Sequence, residues 1–157
     1  MAESTGEIGF IKKTIKDIIS ADIDTAQEVA DYEKTGFRGF PAVTITCSGN
    51  ENSFYSSAEN ERTFIFTLRV YEQIESVPKN ELAAVSDSAK YRAEMVVERV
   101  VDQLLNAFDT TTRFTMAEVA DNGVEAVPSR WGYALLPGGW CRVAEIELRI
   151  KRTITVV

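Results

Sequence analysis

Glu145 and Glu147 occupy alternate positions in Ala-Glu-Ile-Glu-Leu, which places both carboxylates on one face of an extended strand. Such a pair divides general acid and general base roles when an apolar neighbourhood pushes the two pKa values apart. No apolar neighbour marks this pair, and exposed, solvated carboxylates are the expectation. Asp22-Ile23-Asp24 opens like a calcium loop, but Ala26 and the residues after it lack the oxygen ligands and the loop glycine. Gly138-Gly139 has no Lys-Ser or Lys-Thr after it, and no Gly-x-Gly-x-x-Gly occurs, so phosphate-cradling loops are missing. The chain has no histidine. That removes the commonest metal ligand, the usual general base, and every Ser-His or Cys-His nucleophile pair. Cys47 and Cys141 are the only thiols; isolated from each other in sequence, they suit small hydrophobes in strands, with a disulfide between them left open. No catalytic, metal or cofactor site is expected, and the protein reads as a non-enzyme.

The elements that would position these groups follow from periodicity. Ile8, Ile11, Ile15, Ile18 and Ile19 recur at helical spacing between Lys12, Lys13 and Lys16, which predicts a short amphipathic helix from near Ser4 or Thr5 to Ser20. A weak strand is expected within Ala26 to Glu33. Val43, Ile45 and Cys47 alternate with Thr44 and Thr46, and Phe64, Phe66, Leu68 and Val70 alternate with Thr67 and Arg69; these are half-buried strands. Ser48 to Glu61, which links them, is either a long loop or the far end of an extended hairpin, and long ordered loops commonly carry function.

A helical pattern opens near Lys79 or Asn80 and runs through Val97, Val100, Val101, Leu104, Leu105 and Phe108 to Asp109, with a break allowed at Ser86-Asp87-Ser88, whose residue types favour caps. Strands are then expected at Arg113 to Ala120 and Ser129 to Leu136, with a turn at Asp121-Asn122-Gly123 between them. Pro137-Gly138-Gly139 makes the next turn. In the last strand Ala144, Ile146, Leu148 and Ile150 face one way, and Glu145, Glu147, Arg149 and Lys151 the other.

Composition sets the class. The 157 residues are 45% hydrophobic, enough for one core, and a single domain over 1–157 is expected. The formal charge is -7, which handicaps any grip on nucleic acid through phosphate neutralisation. Residues 1–61 hold 11 acidic against 5 basic side chains. The start of the chain lacks the basic region and apolar core of a signal peptide, and no apolar run approaches the roughly 20 residues that span a bilayer. A soluble cytosolic chain without membrane contact is expected.

The remaining candidates are contact residues. Phe54 and Tyr55 lie among Asn50, Glu51, Asn52 and serines in the polar link, and large aromatics at a hairpin end commonly anchor partners. Trp131 and Trp140 flank the proline-glycine turn, where one of them is expected to pack in the core. The predicted fold is α+β: a mostly antiparallel sheet with a long hairpin, packed against one long helix and a short N-terminal helix.

This order of elements, with Gly39-Phe40-Pro41-Ala42-Val43 opening one strand and Asn60-Glu61-Arg62-Thr63-Phe64 opening the next, resembles the tail terminator and tail-completion proteins of long-tailed bacteriophages. The resemblance implies a virion subunit at the head-tail junction, assembled in the host cytoplasm and joined to copies of itself in a sixfold ring. It implies contacts with the tail tube protein below and a neck or connector protein above. DNA would pass through the lumen without specific binding, and an acidic lining would suit that passage. The alternatives are another neck ring subunit or, from a different class, a small-ligand or carboxylate-based enzyme domain.

Overall fold

A computed structural model describes residues 7–54, 59–74, 85–109 and 123–155. Helix α1 (Glu7–Asp22) is followed by β1 (Glu28–Ala30), β2 (Ala42–Phe54) and β3 (Glu59–Gln73), then α2 (Asp87–Asp109), β4 (Gly123–Leu136) and β5 (Gly139–Thr155). The fold is α+β. Its five-stranded sheet has the order β1-β2-β3-β5-β4, and every pairing is antiparallel except that of β1 with β2.

The period-two patterns decide which sheet face is covered. Val43 and Ile45 on β2, Phe64, Phe66, Leu68 and Val70 on β3, and Ala144, Ile146, Leu148 and Ile150 on β5 are all buried in one core. Both helices supply its other half, through Ile11, Ile15, Ile18 and Ile19 of α1 and Val97, Val100, Leu104 and Phe108 of α2. The 23 residues of α2 make a rod of about 35 Å at about 1.5 Å per residue, long enough to cross the sheet.

The break allowed at Ser86-Asp87-Ser88 is the helix start. Ser86 Oγ accepts from the Ala89 amide at 3.2 Å, and its carbonyl accepts from Lys90 at 3.1 Å, which is the geometry of an N-cap residue. A continuous helix from Asn80 is therefore corrected: Val85 lies in a bend, and 80–84 fall outside the described residues. The expected strand at Arg113 to Ala120, with the Asp121-Asn122 part of its turn, also falls outside them. α1 runs two residues past its predicted end at Ser20, to Asp22, while its predicted start near Ser4 or Thr5 falls outside the described residues, and β4 extends the predicted strand back to Gly123.

The polar segment after Cys47 is a hairpin. β2 and β3 stay in register from Gly49↔Ile65 to Phe54↔Asn60, with a bulge at Ser48 between the Cys47 and Gly49 pairs. Only 55–58 of the link, Tyr55 included, lie outside the described residues. At the other hairpin, Pro137 and Gly138 form the turn and Gly139 has φ of 125°, a conformation that side chains rarely adopt.

β1 is shorter than its predicted segment, because the chain leaves the sheet at Asp31 and folds as a strap, 31–41, over the face opposite the helices. Glu28 ties down the strap root. Its carboxylate accepts from the Arg38 amide at 2.7 Å and pairs with Lys34, which holds it below the usual carboxylate pKa. Both cysteines are free: Cys47 pairs with Phe66 at the middle of β3 and Cys141 with Gln73 at its end.

Leu104→Ala, at a fully buried position between helix and sheet, is expected to lower unfolding free energy by about 2–5 kcal/mol, read from urea midpoints at unchanged m-value.

Candidate interaction surfaces

The sheet face opposite the helices carries a row of alternating charge. Arg69 on β3, Glu145 on β5 and Arg130 on β4 are cross-strand partners in sequence of strands. Arg69 Nε donates to Glu145 Oε1 at 2.8 Å, and Arg130 Nε lies 3.3 Å from Oε2 of the same carboxylate. The strap extends the row at its far end: Glu33 accepts from Arg69 Nη1 at 2.6 Å and from the Tyr71 hydroxyl at 3.1 Å. Burial and the Glu33 charge push the Tyr71 phenol up to about 12, so it stays a donor at any physiological pH. Glu147, the other half of the carboxylate pair, lies 3.5 Å from Arg149. Each glutamate of the pair thus has arginine as its neighbour, Glu145 across strands and Glu147 along its own strand.

Under the strap is a small second core. Phe37 and Phe40 pack with Tyr71, Cys141 and Val143, and the Phe37 and Tyr71 rings stand 5.1 Å apart. Burial pushes the Cys141 thiol up to about 12, so it is protonated and inert at neutral pH. A cleft of about 400 Å³ beside the strap is floored by Gly132, Ala134 and Val143 and walled by Arg69, Arg130 and Glu145. Glu145 stands between its two guanidinium groups and pairs with both.

On the helix side, β4 carries Trp131, Tyr133 and Leu135 at alternate positions, exposed by 39%, 40% and 53%. Arg142 on β5 is the post on which the two rings lean. Its guanidinium lies 5.0 Å from the Trp131 ring centroid and 4.5 Å from that of Tyr133, donates to the Gly132 carbonyl at 2.8 Å, and bonds Glu94 of α2 at 2.7 Å. Cation-π contacts contribute about 0.5–2 kcal/mol each, most when desolvated, and Arg142 is largely buried.

The contact residues expected from sequence do not form one patch. Asn50 and Glu51 are exposed on β2, with Asn52 and Phe54 further along that strand; Trp131 is half-exposed on β4, at the opposite edge of the sheet. Trp140 sits inside, half-buried against Ile74, Val85, Ala89 and Ala93, so it is the tryptophan that joins a core. Sequence reasoning missed Arg69, Arg130 and Arg142. The alternation of Trp131, Tyr133 and Leu135 was readable, whereas the arginines gain their roles only from cross-strand register.

Besides the outer side of the three-residue β1, two longer strand edges have no ladder partner among the described residues. One is the outer edge of β4 along its 14 residues; the other is β2 from Ile45 onward, since β1 covers only Ala42 to Thr44. Among the described residues no group of three His, Cys, Asp or Glu side chains is arranged to hold a metal ion, and no helix is long and apolar enough to cross a membrane. In comparison with known proteins, the chain matches no family model and no curated protein.

The Glu28 clip gives a pH dependence of known sign. A carboxyl with a lowered folded pKa contributes stability that is complete above its unfolded value and is lost as pH falls through the folded value. Glu28→Gln is expected to cost about 1 kcal/mol at neutral pH and nothing once wild-type Glu28 is protonated. Urea midpoints of the two proteins should therefore converge as pH falls through the lowered folded value of Glu28. A gap that persists in acid would show that packing, and not charge, holds the strap root.

Proposed function

We propose that this chain is a structural virion subunit that forms a ring at the end of a phage tail tube and joins the tube to the head or neck. The observation that carries the reading is the pair of open strand edges on opposite sides of one sheet. An uncovered edge is a template for another strand unless prolines, bulges or charges blunt it; Pro128 and the bulge at Ser129 interrupt the β4 edge, and 130–136 beyond them is an unbroken open run. Here the two edges differ in sequence and face away from each other. Pairing one with the other between copies is head-to-tail association, which gives a closed ring when the rotation closes.

The two faces support the same reading. With both described helices on one side, the sheet of each copy can continue into the next past β1, and the helices form an outer layer. The inner face then carries the Arg69, Glu145 and Arg130 row. Closed at the strap by Glu33, the row holds two guanidinium groups and two carboxylates, so this stretch of the face would offer duplex DNA no basic track. Identity as a terminator, with sixfold symmetry and with tube and neck proteins as partners, comes from the resemblance in sequence pattern.

Purified tail tubes provide the test. Mixed with the chain, tubes should gain a disc at one end in negative-stain images and should stop growing when tube subunits are added. Binding to a portal complex with no binding to tubes would assign the subunit to the head side of the neck. A chain that remains monomeric and ignores both would remove the ring reading.

A further inference from the structure

We propose that Arg130 of one copy and Glu51 of the next form an ion pair at the centre of the inter-subunit strand pairing, with 130–135 of β4 laid antiparallel to 45–51 of β2. The inference rests on the ring reading above and names the contact that builds it.

The charge row supplies the first reason. Glu33, Arg69, Glu145 and Arg130 alternate in sign from the strap to the sheet edge, and the row stops on a cation. The Arg130 side chain is 79% exposed and meets Glu145 through Nε, which leaves the outer edge of its guanidinium for a carboxylate on the strand that comes next. The opposite edge of the same sheet offers one. Glu51 lies on the same sheet face, its side chain is 63% exposed, and its nearest cation is Arg149 at 4.0 Å, already beside Glu147.

Register supplies the second reason. Arg130 stands level with Arg69 and hence with Thr44, where the neighbour's β2 is already occupied by its own β1. A second copy can reach β2 only from Ile45 onward, so adjacent copies must be displaced along the strands. Arg130 opposite Glu51 meets that requirement. β2 and β4 run antiparallel to each other within the sheet, so copies related by a ring axis pair these edges antiparallel. Trp131 then falls beside Asn50 and, once the Ser48 bulge is passed, Tyr133 beside Cys47, each pair on the helix side. The faces agree along the whole contact.

The displacement has the size that closure needs. From the Arg69 row to the Thr63 row, which is the level of Glu51, β3 advances about 20 Å at about 3.4 Å per residue. Strands β2, β3, β5 and β4 span about 19 Å per copy at about 4.8 Å per strand. Those two lengths tilt the strands about 45° from the ring axis, at the upper end of the 35–45° or so found in closed barrels.

Charge reversal tests the pair in the full-length chain. Arg130→Glu alone and Glu51→Arg alone each set like charges opposite one another and should weaken self-association on the order of ten-fold per contact, by sedimentation or native mass measurement. An equimolar mixture of the two variants should recover assembly, because alternating copies restore opposite charges at every contact. Circular dichroism and urea midpoints identify a variant that has merely misfolded, and recovery in the mixture is an outcome that misfolding does not produce. Wild-type rings that are indifferent to both reversals, or variants that stay apart when mixed, would overturn this interface and leave the ring reading standing. A wild-type chain that forms no ring, free or on tail tubes, would overturn both.

Discussion

The pairing of β3 with β5 is the constraint on which the other parts depend. These strands stay in register from Glu59↔Thr155 to Gln73↔Cys141, and the alternation of Phe64, Phe66, Leu68 and Val70 meets that of Ile150, Leu148, Ile146 and Ala144 on one face. A slip of one residue would send every one of those side chains to the opposite face and remove the floor on which both helices rest. It would also separate Arg69 from Glu145. The apolar core and the charged row are thus two consequences of one register.

The covered face was readable from sequence because hydrophobic period alone specifies it. The isoleucines of α1, the valines and leucines of α2 and the alternating strands each declare a buried side without reference to a partner. The strap was not readable: Gly36 to Pro41 looks like the approach to a strand, and only the packing of Phe37 and Phe40 on Tyr71 shows that it recrosses the sheet. The hairpin through Asn50 to Phe54 was left ambiguous for a related reason. Its residues before Phe54 are polar, and its strand character comes from ladder bonds to β3, which leave no mark on composition.

The candidate contact surface was legible in part. Asn50, Glu51 and Trp131 could be picked out as large or polar groups in exposed settings, yet their placement on opposite edges of the sheet required the strand order. Arg130 carried no local signal at all. Its meaning comes from standing beside Glu145 across a strand pair, a relation that joins residues in separate parts of the chain.

Arg142 has a consequence for side-chain entropy on the outer strand. By gripping Trp131 and Tyr133 while Glu94 holds it from α2, it restrains two large, partly exposed rings within the folded chain itself. Much of the rotamer freedom of those rings is therefore lost when the chain folds. In the ring we propose, a neighbouring strand would meet a surface already in its final shape, and the cost of about 0.5–1.5 kcal/mol for ordering each mobile side chain would be absent from the encounter.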